Sequence, residues 1–227
     1  MQKLKLSKVR KYLRKISMFD SAHDLNHIYR VYRNALLLAA ELEDIDLKVL
    51  KMAVLLHDIG KSEEYKDTLG KKDHAKIGAE MAENLLERIG FDSKFINEVK
   101  NCILTHRFRS ENRPRSNEAK ILFDADKLDL LGSVGIVRSF LISKEYNQKL
   151  FSNVSIKSYL KDNIVGKNNK GRIKNISKHS PNLEFELKIK SIPESLHFQR
   201  SKEIAKERIN FMEKFFNRLK KENLSIY

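Results

Sequence analysis

The sequence has no tryptophan, one cysteine (Cys102), three prolines and eight glycines in 227 residues. So few proline and glycine residues leave a sheet-rich fold short of turns, which favours a helical protein. A single cysteine excludes an internal disulfide and is typical of a reducing cytoplasm, which is the expected location. No stretch approaches the roughly 20 apolar residues that span a bilayer, and the basic N-terminus has no apolar secretory core. We therefore expect no membrane association.

The length and composition predict one domain. The chain is 41% hydrophobic and 33% charged, which suits a globular protein with a sizeable core. We predict an all-α, single-domain helical bundle over residues 1–227, with the chemistry at about 20–145, a variable section at about 151–193 and a closing helix at about 200–222. Hydrophobic spacing predicts further helices at 47–58, 74–89, 93–105, 118–131 and 134–144. A polar loop is expected at 61–73.

The variable section contains the alternating run Leu183-Glu-Phe-Glu-Leu-Lys-Ile189. Alternation of apolar and charged residues is typical of a strand, so a short β excursion is expected near 183–189. We expect His179, in the same section, to lie on the surface.

The net charge of +15 has three interpretations. The basic residues form a solvated surface, they steer small anionic substrates to the site, or they bind nucleic acid. The basic tracts near the N-terminus and at 157–178 contain only one aromatic residue each, Tyr12 and Tyr159, so stacking on single strands is weakly supported. Nucleic acid is therefore a less favoured partner than a small anionic substrate.

The dipeptide His57-Asp58 ends an apolar run and carries the strongest chemical signal. His27 lies 30 residues upstream, Asp126 lies well downstream, and His74 and His106 fall between them. Imidazole and carboxylate groups drawn from distant helices are the usual ligands of Mn, Fe, Co, Ni or Zn, whereas Mg and Ca prefer oxygen alone. The pattern predicts a partly buried divalent metal site.

The order His, His-Asp, Asp resembles the HD-domain superfamily of metal-dependent phosphohydrolases. Three segments carry the resemblance: His27 to Val31, His57 to Lys61, and Asp124 to Asp129. The finer resemblance is to small stand-alone bacterial and archaeal members with nucleotide pyrophosphohydrolase activity, and it extends into 194–197 and the last helix. It implies an HD-type helical fold and a metal held by His27, His57, Asp58 and Asp126.

Two of these ligands have competitors in the sequence. His23 is also followed by an aspartate, but its position at a helix start is typical of capping, so His27 is preferred. The alanine-aspartate dyad of the family falls on Ala125-Asp126, which favours Asp126 over Asp124 and Asp129. Asp124 is then expected to orient a ligand histidine by a hydrogen bond.

The roles of His74 and His106 stay open. In two-metal members of the superfamily, histidines in this order complete the shell of a second ion. In single-metal members they would meet the substrate phosphate or transfer a proton, and a structural role is the third alternative.

The resemblance also implies a mechanism, in which a metal-bound water attacks phosphorus. Asp58 is expected to be both ligand and proton acceptor, and Lys61 to neutralise charge on the phosphate. Arg30, one helical turn after His27, is expected either to bind phosphate as well or to pair with an acid such as Asp129. Hydrolases of guanosine tetraphosphate carry an acidic dyad shortly after the HD pair; here Lys61-Ser62 stands in that stretch and Glu63-Glu64 come later, which disfavours that substrate.

The predicted function is hydrolysis of a nucleotide or another small phosphate ester, with nucleoside triphosphate pyrophosphohydrolysis as first choice. Mn is the favoured ion, with Co, Ni, Fe, Zn and Mg as alternatives; one ion is expected and two are allowed. The alternatives are a phosphomonoesterase or phosphodiesterase of the same superfamily, a di-iron oxygenase on the same ligand order, and a basic nucleic-acid-binding module.

Overall fold

The computed structural model describes residues 2–16, 25–67, 72–107, 112–165 and 172–225. The structure confirms the predicted all-α class. The described helices are α1 (Gln2–Ile16), α2 (Leu25–Ala39), α3 (Leu47–Leu56), α4 (Lys61–Tyr65), α5 (His74–Ile89), α6 (Ser93–Thr105), α7 (Asn117–Leu128), α8 (Gly132–Glu145), α9 (Ile156–Asn163), α10 (Pro181–Leu187), α11 (Ile192–Ser195) and α12 (Gln199–Asn223). None of these helices is long and apolar enough to cross a membrane.

Contacts group the chain into two compact units, Met1–Asp126 and Lys127–Tyr227. The prediction of a single domain over 1–227 stays a prediction, and each unit is described by itself. All six histidines and aspartates proposed as metal ligands lie in the first unit.

In the first unit, α3 is the central helix and packs against α2 and α6, while α5 packs against α6. Asp46 caps α3 by accepting hydrogen bonds from the backbone N–H groups of Lys48 and Val49, at 2.8 and 3.1 Å. Most of α3 is buried, including Leu50, Val54 and Leu56. Its buried C-terminus therefore carries the following residues, His57 and Asp58, into the interior of this unit.

In the second unit, α8 packs against α12 and α10, and α9 packs against α10. Two short antiparallel strands, β1 (Ile164–Val165) and β2 (Arg172–Ile173), pair Ile164 with Ile173. Asp129 and Arg138 form a buried ion pair, with 2.5 Å between Oδ2 and Nη1.

The prediction of a short strand near 183–189 is wrong. Residues Pro181–Leu187 form α10 instead, and a short 3-10 helix follows at Ile189–Ser191. Pro181 occupies the first turn of α10, where its missing N–H costs nothing, and Glu184 pairs with Lys188 one turn later, at 2.6 Å. Both features favour a helix over a strand.

His179 is not on the surface. It is buried, its Nδ1 lies 2.7 Å from the Tyr159 hydroxyl, and its Nε2 lies 3.0 Å from Glu184 Oε2. Such a network satisfies the polar atoms of a buried imidazole. The expected loop at 61–73 also contains a helix, α4.

Candidate metal centre

Four side chains from three places in the first unit converge on one point. His27 projects from α2, His57 and Asp58 stand in the turn after α3, and Asp126 lies near the end of α7. His27 Nε2 lies 3.3 Å from His57 Nε2, 3.5 Å from Asp58 Oδ2 and 3.6 Å from Asp126 Oδ1. His57 Nε2 lies 3.6 Å from Asp58 Oδ2 and 3.9 Å from Asp126 Oδ1. We call these four residues the first ligand group.

A second group shares Asp58. Its other oxygen, Oδ1, lies 3.6 Å from the Nε2 atoms of both His74 and His106. These two nitrogens are 3.2 Å apart. The carboxylate of Asp58 therefore faces the first ligand group with Oδ2 and the second group, formed with His74 and His106, with Oδ1.

Hydrogen bonds determine which ring nitrogen carries the proton in three of these histidines. The Nδ1 atoms of His57 and His106 lie 2.8 and 2.6 Å from the backbone carbonyls of Val54 and Ile103, which only accept hydrogen bonds. The Nδ1 of His74 lies 2.7 Å from Glu64 Oε2. Each Nδ1 therefore donates, and each neutral ring presents an unprotonated Nε2 to its group.

These groups fit a cation. In the second group, two unprotonated nitrogens and a carboxylate oxygen face one another, so their lone pairs repel unless a positive charge lies between them. Ligands at about 2.0–2.2 Å from a transition metal are roughly 3.0 Å apart in octahedral geometry and 3.4 Å apart in tetrahedral geometry. The spacing of ligand atoms in both groups is close to this, and a mixed nitrogen and oxygen set suits a transition metal.

A proton is a poor substitute for that cation at His57. Burial lowers the pKa of this imidazole to about 4, outweighing the neighbouring Asp58 and Asp126 carboxylates. Burial alone would raise the pKa of Asp58, but its charged and histidine neighbours, His57 and Lys61 first among them, together outweigh burial and hold that pKa well below its usual value. Near neutral pH, the first group therefore presents a neutral imidazole and an ionised carboxylate, which are the forms that bind metal.

Gly60 lets the turn that carries His57 and Asp58 approach α5. A Cβ at this position would lie 2.3 Å from the carbonyl oxygen of His74 and 2.6 Å from the backbone nitrogen of Gly78. Only a residue without a side chain allows this contact. The close approach brings Asp58 within reach of His74.

Glu64, for which the sequence pattern predicted no role, contacts several charged groups beside the centre. Besides His74, its carboxylate lies 3.6 Å from Lys61 Nζ and 3.0 Å from Arg107 Nη2. Burial would raise the pKa of Glu64, but the hydrogen bond and charge of His74, with Lys61 and Arg107, lower it to about 2. The only signal in the sequence was its place shortly after the HD pair.

The remaining predicted residues are placed as follows. Lys61 opens α4 and its side chain is 31% exposed, beside Glu64. Arg30 lies on α2 one turn after His27 and is half-buried. Asp124 is fully buried in α7, and its expected role of orienting a histidine stays a prediction. His23 lies outside the described residues.

Comparison with known proteins identifies relatives over nearly the whole chain. The HD domain family model matches residues 24–131. YpgQ of Bacillus subtilis, an uncharacterised protein, is 25% identical over 207 residues, which cover 89% of this chain and 85% of YpgQ. The crystal structure of YpgQ in complex with ADP has a TM-score of 0.68 at 22% identity, covering 96% of this chain and all of the other.

A predicted HD superfamily hydrolase from an uncultured Thermotogales bacterium is more similar in sequence. Its crystal structure is 30% identical, has a TM-score of 0.60, and covers 96% of this chain and 92% of its own. The match extends well beyond the segment recognised by the family model. This chain therefore belongs to the HD superfamily of hydrolases.

Proposed function

We propose that this protein is a metal-dependent phosphohydrolase that acts on nucleotides or other small phosphate esters. The observation that carries the proposal is the convergence of imidazole Nε2 atoms on the two oxygens of Asp58. A positive charge at the centre of this arrangement would relieve the repulsion between the lone pairs. We infer that His27, His57, Asp58 and Asp126 bind one divalent cation, with Mn as first choice and Co, Ni, Fe, Zn or Mg as alternatives.

The complex of YpgQ with ADP supports a nucleotide as the substrate. Cleavage of a nucleoside triphosphate to monophosphate and pyrophosphate is the finer form of the proposal, and phosphomonoester or phosphodiester hydrolysis is the alternative within the same chemistry. A thiol mechanism has no support, because burial raises the pKa of the Cys102 thiol to about 12.

When bound, a divalent cation would supply a water of lowered pKa and polarise the phosphoryl group. Asp58 has a second oxygen directed away from the first group, so we assign it the proton of the attacking water as well as a ligand role. Lys61, partly exposed beside the centre, would offset charge on the phosphate. Arg30 would bind the same anion from α2.

Under this proposal, the role of His74 and His106 depends on whether one or two ions are bound. With one ion present, they face the side of Asp58 that the first group does not use, where they would contact phosphate or transfer a proton. With two ions present, they and Asp58 Oδ1 would hold the second. Two neighbouring ligand groups that share a carboxylate also suit a di-iron oxygenase, which is the second candidate function.

The test is a hydrolysis screen on protein stripped of metal and reloaded with each candidate ion. Nucleoside tri-, di- and monophosphates, cyclic nucleotides and a generic phosphodiester serve as substrates. We expect metal-dependent release of pyrophosphate or phosphate that His57→Ala and Asp126→Asn abolish. Asp92→Asn, which keeps a helix N-cap outside the centre, should retain the activity of the unaltered protein.

Two results would contradict the proposal. The first is that protein with bound metal hydrolyses none of the substrates but consumes oxygen when loaded with iron, which would favour the oxygenase. Salt-sensitive nucleic-acid binding that survives both variants, with no metal bound, would favour the basic binding module.

A further inference from the structure

Arg107 joins two carboxylates on either side of His74. Its Nη2 lies 3.0 Å from Glu64 Oε1, and its Nη1 lies 3.0 Å from Asp73 Oδ1. Arg107 directly follows His106 in the chain, so it lies beside the second ligand group without belonging to it. The planar guanidinium can donate to both acids at once, which a lysine ammonium cannot do with the same geometry.

Each carboxylate positions a different part of His74. Glu64 uses its other oxygen, Oε2, to accept the Nδ1–H of the His74 ring, at 2.7 Å. Asp73 is the N-cap of α5, the helix that begins at His74, and its Oδ1 accepts from the backbone N–H of Ala75 at 2.9 Å. One acid therefore orients the imidazole and the other fixes the backbone that carries it.

We propose that Arg107 is a positioning residue, which acts through Glu64 and Asp73 to hold His74 with an unprotonated Nε2 directed at Asp58 and His106. The metal-binding part of this inference rests on the proposed function, whereas the orientation of His74 does not. Partners that orient a ligand histidine commonly change metal affinity by about 10-fold to 100-fold when they are removed.

The solvent exposure of these three side chains distinguishes a positioning role from a role in global stability. The side chains of Arg107, Glu64 and Asp73 are 31%, 23% and 30% exposed, and ion pairs this accessible to water contribute little to folding. Loss of Arg107 should therefore leave the melting temperature nearly unchanged while it alters His74. A purely structural cross-link would do the opposite.

The direct test reads the proton of each histidine ring. Metal-free protein with 15N-labelled histidine, at pH 8, is compared by NMR with Arg107→Gln, Glu64→Gln and Arg107→Lys. In the unaltered protein we expect Nδ1–H rings at His57, His74 and His106. Arg107→Gln and Glu64→Gln should change His74 alone to a mixture of tautomers, and Arg107→Lys should restore it in part.

Arg88→Gln is the matched control, because Arg88 is exposed and bonds only the backbone of its own helix in the described contacts. It should leave all three rings unchanged. A His74 ring that keeps its Nδ1–H in Arg107→Gln would overturn the proposal, whatever Glu64→Gln does. Failure of the hydrolysis screen would not, since the NMR measurement needs neither metal nor turnover.

A kinetic measurement on Mn-loaded protein is a second test of the positioning role of Arg107. We expect Arg107→Gln to lower kcat by about 10-fold or more with little change in KM. A rise in KM for nucleotides, with kcat and the His74 tautomer unchanged, would show that Arg107 contacts the substrate, and the positioning role would be refuted.

Discussion

Replacing Gly60 by alanine should separate the turn of His57 and Asp58 from α5. Gly60 has φ −85° and ψ −5°, a conformation that alanine also adopts in turns, so the contact is the main obstacle to the change. The added Cβ would lie 2.3 Å from the His74 carbonyl oxygen and 2.6 Å from the Gly78 nitrogen. Both neighbours are backbone atoms, which cannot rotate aside.

The size of the effect follows from these distances. Ordinary contact begins near 3.4 Å, so the turn and α5 must move apart by about 1 Å. Overpacking of this kind costs about 1–3 kcal/mol, and a backbone clash in a buried turn should cost about 3 kcal/mol. For a chain of this size, that loss lowers the melting temperature by about 6–12 °C.

Gly78→Ala is the matched control at the same contact. Its Cβ would meet Gly60 at 3.4 Å, the His57 carbonyl at 3.5 Å and Ile103 at 3.6 Å, which are ordinary contacts. Alanine also favours a helix interior over glycine by about 1 kcal/mol, so this variant should be neutral or slightly stabilised. Calorimetric melting of both metal-free variants gives the comparison, and equal melting temperatures would refute the reasoning.

Three further predictions concern stability. Burial lowers the pKa of His57 from 6.5 to about 4, so the unfolded state binds a proton before the folded state as pH falls. The free energy of unfolding of metal-free protein should therefore drop by about 2 kcal/mol between pH 7 and pH 5. Urea unfolding should show this pH dependence, and His57→Gln should reduce it. Asp129→Asn removes the negative charge from the buried pair with Arg138 and should cost about 3–5 kcal/mol, a loss that equal urea midpoints would contradict. Asp46→Ala removes the N-cap of α3 and should cost about 1 kcal/mol in the same urea assay, so an unchanged midpoint would show that the cap is not needed.

Local signals explain which helices could be predicted. The expected bounds 74–89 and 93–105 agree with α5 and α6, because Asp73 and Asp92 cap their starts and Gly90, at φ 86°, ends α5. The alternation at 183–189 misled because Leu183 and Phe185 fall on opposite sides of a helix, yet both are buried. Pro181 was the signal that could have corrected it.

The candidate site also has a part that could be predicted from the sequence and a part that could not. The residue types and order of the HD pair, His27 and Asp126 predicted a mixed nitrogen and oxygen group, and the structure brings these side chains together. The contacts of Glu64 and Arg107 could not be predicted, because they depend on how α4, α5 and the end of α6 meet in space. His179 was misplaced for the same reason, since its partners are 20 and 5 residues away.

The central claim is that His27, His57, Asp58 and Asp126 hold a divalent cation. Anomalous diffraction from Mn-soaked crystals, measured on both sides of the manganese absorption edge, tests it most directly. We expect a peak about 2.0–2.3 Å from the Nε2 atoms of both histidines, Asp58 Oδ2 and Asp126 Oδ1. A crystal saturated with Mn that shows no peak among these four atoms, or shows manganese bound only elsewhere, would contradict it.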